Sequence, residues 1–117
     1  MTHVVGDVRG RRCLIIDDMI STGGTIAESA RALAAAGAKS EFVVAATHGV
    51  LLDGACDRMT DAGVARVFVT DSVATPDRRC RHAHVVTIAR LIAATIGLQM
   101  GWAREARNTR NDCERGT

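Results

Sequence analysis

Apolar residues in this chain gather in short unbroken runs, and small or polar residues punctuate them. Residues 13–16 form one run, β-branched at Ile15 and Ile16. Residues 41–47, with Phe42 to Ala46 apolar throughout, and residues 66–70 form two more. Runs of this length and type predict strands, and runs without alternation suit strands buried on both faces. The intervening stretches carry helical spacing. Ile26, Ala30 and Leu33 share a face over residues 26–36, and Gly37 stands just past that end. Residues 52–62 predict a shorter helix, with Asp53 near its start and Gly63 after its end. Ile88, Leu91, Ile92, Ala94 or Thr95, and Leu98 predict a last helix from about residue 86 to 100, closed by Gly101. Strand and helix alternate, so the pattern predicts an α/β fold with at least three parallel strands and helices on both faces.

Each predicted strand is apolar until its carboxyl end, where polar residues collect. Those ends are Asp17-Asp18, Thr47-His48-Gly49 and Thr70-Asp71-Ser72. Ligands of open parallel sheets bind beyond the carboxyl ends of strands, so the pattern places a site along that edge. The rest is connective. Residues 1–12 are a polar, basic lead-in with turn chemistry at Gly6-Asp7-Val8-Arg9-Gly10. Residues 73–82 form a loop holding Pro76 and the charged run Asp77-Arg78-Arg79. From Trp102 the chain is charged and aperiodic, and residues 102–117 are expected to be a mobile or loosely docked tail.

Composition narrows this picture. At 117 residues the chain allows one domain, read as residues 1–101. Apolar residues make up 47% and aromatics 3%, so the core must be built from Ala, Val, Ile and Leu. A net charge of +2 without interleaved aromatics gives no basis for nucleic-acid binding. Residues 85–100 are the longest apolar stretch, but they include Arg90 and Gln99 and are too short to span a bilayer. Cys13, Cys56, Cys80 and Cys113 show no close pairing, and the polar start does not read as a signal peptide. Free thiols in a reducing cytoplasm are the expectation.

The candidate chemistry lies in residues 14–26. Here a strand meets two carboxylates, then Ser21-Thr22-Gly23-Gly24-Thr25, then a helix. A helix start presents N–H groups without intrahelical partners, and the helix dipole adds positive potential there. Glycines let a phosphate approach the backbone, and Ser21, Thr22 and Thr25 add hydroxyl donors. Asp17 and Asp18 are suited to accept hydrogen bonds from vicinal hydroxyls. Such a site fits a sugar phosphate. The same residues also fit a plain strand–loop–helix turn in which Thr25-x-x-Glu28 forms a capping box. If a phosphate is held here, Gly24 is the position expected to tolerate a side chain least.

The complete string resembles the phosphoribosyl-diphosphate loop of the type I phosphoribosyltransferase fold. Gly6-Asp7-Val8-Arg9-Gly10, Ala46-Thr47-His48-Gly49-Val50, Phe68-Val69-Thr70-Asp71-Ser72 and the closing helix extend the likeness. Together they resemble the latter part of the C-terminal domain of the ribose-phosphate diphosphokinase family, in the right order. The resemblance implies a three-layer phosphoribosyltransferase-like fold, here partial. It further implies transfer of diphosphate from ATP to ribose 5-phosphate, with Mg2+, in nucleotide biosynthesis. On that reading Asp17 and Asp18 contact the ribose, and Ser21, Thr22, Gly23, Gly24 and Thr25 hold the 5-phosphate. Many members carry a third acid where this chain has Ser21, which can donate to phosphate but cannot serve as a general base. The family's ATP-binding domain and its loop of catalytic Lys and Arg have no counterpart in these residues, so the metal ligands are expected outside them. The single lysine, Lys39, follows the first helix, away from the strand ends.

Three functions stay open: the diphosphokinase or a truncated homologue, a phosphoribosyltransferase using the same loop, and a non-catalytic subunit of a synthase. Homo-oligomerisation or association with a full-length synthase is expected, because an incomplete sheet exposes an edge. Of the remaining polar residues, His48 and Asp71 lie at strand ends, where each fits a site role or a local hydrogen bond. His82-x-His84 is a weak metal pattern. Asp53 and Asp57 read as a solvated helix face with local pairing to Arg58.

Overall fold

A computed structural model of the chain describes residues 4–74 and 80–101. Pro76, the run Asp77-Arg78-Arg79, Cys113 and the tail from Trp102 lie outside the described residues. Two compact units are present, the first ending at Val86 and the second beginning at Thr87.

The first unit runs β1 (Leu14–Ile20), α1 (Gly24–Ala35), β2 (Phe42–Gly49), α2 (Ala55–Asp61), β3 (Val64–Thr70) and β4 (Ala83–Val86). The four strands are parallel and lie side by side in chain order. The expected parallel α/β fold is therefore present, with differences that have local causes. β4 is absent from the hydrophobic pattern because it is four residues long and its valines adjoin the apolar stretch read as the last helix, which in the structure begins only at Ala89. Pairing of Val67 with Ala83 through Thr70 with Val86 recruits it to the sheet. β1 continues past the carboxylates to Ile20, since Met19 pairs with His48 and Ile20 with Gly49. Asp17 and Asp18 thus lie within the strand, not at its end. β2 likewise runs through His48 to Gly49, and α2 begins at Ala55, three residues later than its sequence pattern suggests.

Both crossovers, β1-α1-β2 and β2-α2-β3, step in the same direction across the sheet. Right-handed crossovers then put both helices on one face. Ile26, Ala27 and Ala30 of α1 and Met59 of α2 accordingly share one buried cluster with Val44, Ala46, Val67 and Val69. Helices on both faces would need the strand order to reverse, and within this unit it does not. Leu14 and Ile16, on the opposite face, stay 57% and 76% exposed. The core follows composition: Phe42 is its largest side chain, and fully buried Ala27 and Ala30 let α1 approach the sheet closely. α1 ends at Ala36, where the N–H of Gly37 donates to the Ala34 carbonyl and that of Ala38 to Leu33. Gly37, at φ 87, supplies the left-handed turn this double closure requires.

Cys56, in the first turn of α2, and Cys80, just ahead of β4, form a disulfide with a Cα–Cα distance of 5.4 Å. The expectation of free thiols fails for this pair and holds for Cys13. A spacing of 24 residues gives no hint of pairing. The return of the chain beside β3 brings Cys80 back to α2. The second unit contains α3 (Ala89–Gln99), whose first N–H, at Ala89, donates to Thr87 Oγ1 at 3.2 Å. No helix among the described residues is long and apolar enough to cross a membrane.

Candidate functional site

Asp17, Met19 and residues 21–26 line a small open concavity of about 30 Å³ where β1 passes into α1. Asp17, Ser21, Thr22, Gly23, Gly24 and Thr25 are thereby brought together. Asp18 is not in this lining, because neighbouring residues on a strand face opposite sides of the sheet. Its backbone N–H instead donates to Asp17 Oδ1 at 2.8 Å, which fixes the Asp17 carboxylate along the strand.

Helix α1 begins at Gly24, with Gly23 in the left-handed conformation at its N-cap and no side-chain cap. The capping box expected from Thr25 and Glu28 does not form, since Thr25 already lies inside the first turn. The N–H groups of Thr25 and Ile26 are left without helical partners, as at any helix start. The Gly24 N–H has only a long contact, 3.4 Å, to Thr22 Oγ1.

The carbonyls show the complementary side of this arrangement. Ile20 O accepts from the Leu51 N–H at 3.0 Å, Ser21 O from the Leu52 N–H at 2.9 Å, and Gly23 O from the Ala27 N–H at 2.9 Å. Thr22 O accepts from the Arg58 guanidinium of α2. Four successive carbonyls are engaged by the protein. In a trans peptide the next residue's N–H points the opposite way, so the N–H groups of residues 21–24 turn from these partners. Leu51 holds its place with φ 46, an uncommon left-handed conformation for a branched side chain, while 2% exposed. Arg58, Leu51 and Leu52 were not expected at the site. Nothing in the sequence shows that α2 lies under the loop; the strand order does.

Gly23 and Gly24 differ. At Gly23, with φ 72, a Cβ would sit 2.8 Å from the Ala55 carbonyl oxygen and 3.1 Å from Met59 Cγ. At Gly24 the nearest atom is Thr22 Oγ1 at 3.5 Å. The fold's demand for glycine falls on Gly23, and Gly24 is sterically open on the protein side.

The other strand ends are tied to one another. Ser72 Oγ donates to Thr47 O at 3.0 Å, and Thr70 Oγ1 donates to the same carbonyl at 2.7 Å. With the Ser72 proton so committed, His48 Nδ1, 2.7 Å from Ser72 Oγ, must carry the hydrogen and donate it. His48 therefore braces β2 against the end of β3. The ring of His84 stacks on Phe68 at a 5.2 Å centroid distance, which accounts for one member of the His82-x-His84 pattern. Among the described residues no three His, Cys, Asp or Glu side chains gather as a metal site.

Residues 1–100 match the family model of the phosphoribosyl synthetase-associated domain. The chain belongs to that family. Its relatives include the ribose-phosphate pyrophosphokinases of Mycobacterium bovis, 48% identical over 95 residues, and Bifidobacterium longum, 47% identical over 95 residues. Each alignment covers 80% of this chain, but only 29% and 28% of the respective relatives. The chain thus spans under a third of the length of the curated relatives it matches. The crystal structure of phosphoribosylpyrophosphate synthetase from Mycobacterium smegmatis superimposes with a TM-score of 0.72 at 44% identity, over 83% of this chain and 33% of that one. The likeness confirms the α/β architecture and the family resemblance carried by the sequence.

Proposed function

We propose that this chain supplies the ribose 5-phosphate site of a ribose-phosphate pyrophosphokinase. The whole enzyme would move a diphosphoryl group from ATP to the anomeric hydroxyl of ribose 5-phosphate. The observation that carries this reading is the loop of residues 20–24, where four carbonyls are engaged by the protein while the helix start leaves N–H groups open. A phosphate on Gly23, Gly24 and Thr25 would meet these N–H groups, the hydroxyls of Ser21, Thr22 and Thr25, and the positive end of α1. Asp17, which lines the same concavity, would meet the ribose hydroxyls. Asp18 would join it only from the other side of the strand.

Diphosphoryl transfer requires cations aimed at the migrating phosphates, and Mg2+ supplies that charge in such chemistry. The described residues do not form such a centre: the cradle contains one carboxylate, and Lys39 lies beyond α1 with its backbone N–H bonded to Arg11 O. We therefore assign binding and orientation of the sugar phosphate to this chain, and assign ATP and Mg2+ to residues beyond it. The family's description as synthetase-associated supports a second reading, in which the chain is a non-catalytic partner of a synthase. Both roles fit assembly with further copies or with a full-length synthase, while the Cys56–Cys80 disulfide removes the free-thiol ground for a reducing cytoplasm.

Calorimetric titration tests the site: ribose 5-phosphate and inorganic phosphate should bind, and ribose alone should bind far more weakly. Absence of ribose 5-phosphate binding would reduce the loop to a helix start. Turnover of ATP and ribose 5-phosphate by the chain alone would exclude the non-catalytic reading. Preference for phosphoribosyl diphosphate with a nucleobase would favour a phosphoribosyltransferase.

A further inference from the structure

We infer that Arg58 is a positioning residue for the phosphate loop, acting on the peptide between Thr22 and Gly23. This rests on the reading of the loop as a phosphate cradle and adds a determinant outside the loop itself. Of the four carbonyls from Ile20 to Gly23, three are held by backbone N–H groups, from Leu51, Leu52 and Ala27. Only the Thr22 carbonyl is held by a side chain, the guanidinium of Arg58.

That peptide is also free to turn over in the absence of its partner. A peptide flip changes ψ of the residue before it and φ of the residue after it, and interconverts turns that differ in the sign of that φ. Gly23 follows the Thr22 carbonyl, and glycine accepts either sign at little cost. Gly23 is at φ 72. A flip would direct the Thr22 carbonyl toward an incoming anion and remove the Gly23 N–H from it. The guanidinium opposes the flip, because leaving the carbonyl would break a charge-assisted hydrogen bond. α2 is fixed for this task. Its Ala55 carbonyl and Met59 side chain lie directly against Gly23, and the Cys56–Cys80 disulfide ties its first turn to the approach to β4. Arg58 itself is anchored by its N–H to the Gly54 carbonyl at 3.1 Å.

The experiment titrates ribose 5-phosphate and inorganic phosphate into the wild-type chain, Arg58→Ala and Arg58→Lys, with thermal melts and amide NMR spectra of Gly23 and Gly24. Arg58→Ala should raise Kd for both ligands by about tenfold, the value of one lost charge-assisted bond. It should shift the Gly23 amide before ligand is added and lower the melting temperature by no more than about 10 °C. Arg58→Lys, which keeps a cationic donor, should recover most of the affinity. Equal affinity of wild type and Arg58→Ala would overturn the inference while leaving the site reading intact. So would a loss of affinity accompanied by a large drop in melting temperature that Lys does not restore, since that describes general support of α2. Failure of the wild type itself to bind would remove the site reading, and this inference with it.

Discussion

Replacing Gly23 by alanine separates what the loop owes to folding from what it owes to a ligand. Gly23 is at φ 72, where an L side chain costs about 1–2 kcal/mol. The new Cβ would also stand 2.8 Å from the Ala55 carbonyl oxygen, a backbone atom at the start of α2 that cannot swing aside. Relieving that overlap means moving α2 or the loop, at a further cost of about 1–3 kcal/mol. The sum is about 3 kcal/mol, a large part of the stability of a small domain. With a shift of about 4–8 °C per kcal/mol for a domain of this size, Gly23→Ala should melt roughly 12–24 °C below wild type. Gly24→Ala is the internal control. Its Cβ meets only Thr22 Oγ1 at 3.5 Å, and alanine is the better helix former, so its melting temperature should match or exceed that of wild type. Circular dichroism melts of the three proteins without ligand decide the matter. The reasoning is refuted if Gly23→Ala melts with wild type, or if Gly24→Ala is equally destabilised.

Because Gly24 is open on the protein side, Gly24→Val should abolish ribose 5-phosphate binding in calorimetry while the chain stays folded; unchanged affinity would show that no phosphate approaches that backbone. Asp17→Asn keeps one acceptor oxygen and removes the charge, so it should weaken binding only about fivefold, the difference between a charged and a neutral hydrogen bond; equal Kd values would take Asp17 out of the site. Reduction of the Cys56–Cys80 disulfide, or Cys80→Ser, releases a 24-residue closure worth about 3.4 kcal/mol and should lower the melting temperature by roughly 14–27 °C; superimposed melts of oxidised and reduced protein would show that the bond contributes nothing. β1 is an edge strand, and Leu14 and Ile16 are exposed on the face that neither α1 nor α2 covers, so light scattering should find species larger than a monomer, diminished by Ile16→Glu. A monodisperse wild-type monomer would contradict this.

The sequence shows clearly those features that local chemistry decides. Residues 42–46 are apolar and become the first five residues of β2, and Gly37 stands where α1 needs a left-handed residue. The Gly/Thr loop forms at the β1–α1 junction as expected. What the sequence hides is set by strand order. Ala83 to Val86 is only four residues long and its valines run into the apolar stretch that reads as the last helix; it is a strand because β3 offers it an edge. Asp17 and Asp18 look like a pair beside the loop, but the two-residue period of a strand separates them, and continued pairing with β2 places both inside β1. Thr25 with Glu28 matches a capping sequence, yet the helix starts two residues earlier than that motif requires, at Gly24, so the motif falls out of register.

Arg58 illustrates the same limit at the site. Within residues 52–62 it has nearby carboxylates, and local pairing with Asp53 or Asp57 is the natural expectation. Its guanidinium also reaches Thr22, 36 residues earlier, because two consecutive crossovers of the same hand lay α2 beside the start of α1. The same juxtaposition makes Gly23, not Gly24, the glycine that the fold requires, since the crowding atoms belong to Ala55 and Met59 of α2. The shape of the loop is thus determined by a helix that contributes nothing to its sequence motif. A change in α2 that keeps every residue of the loop can therefore alter how the loop meets a phosphate.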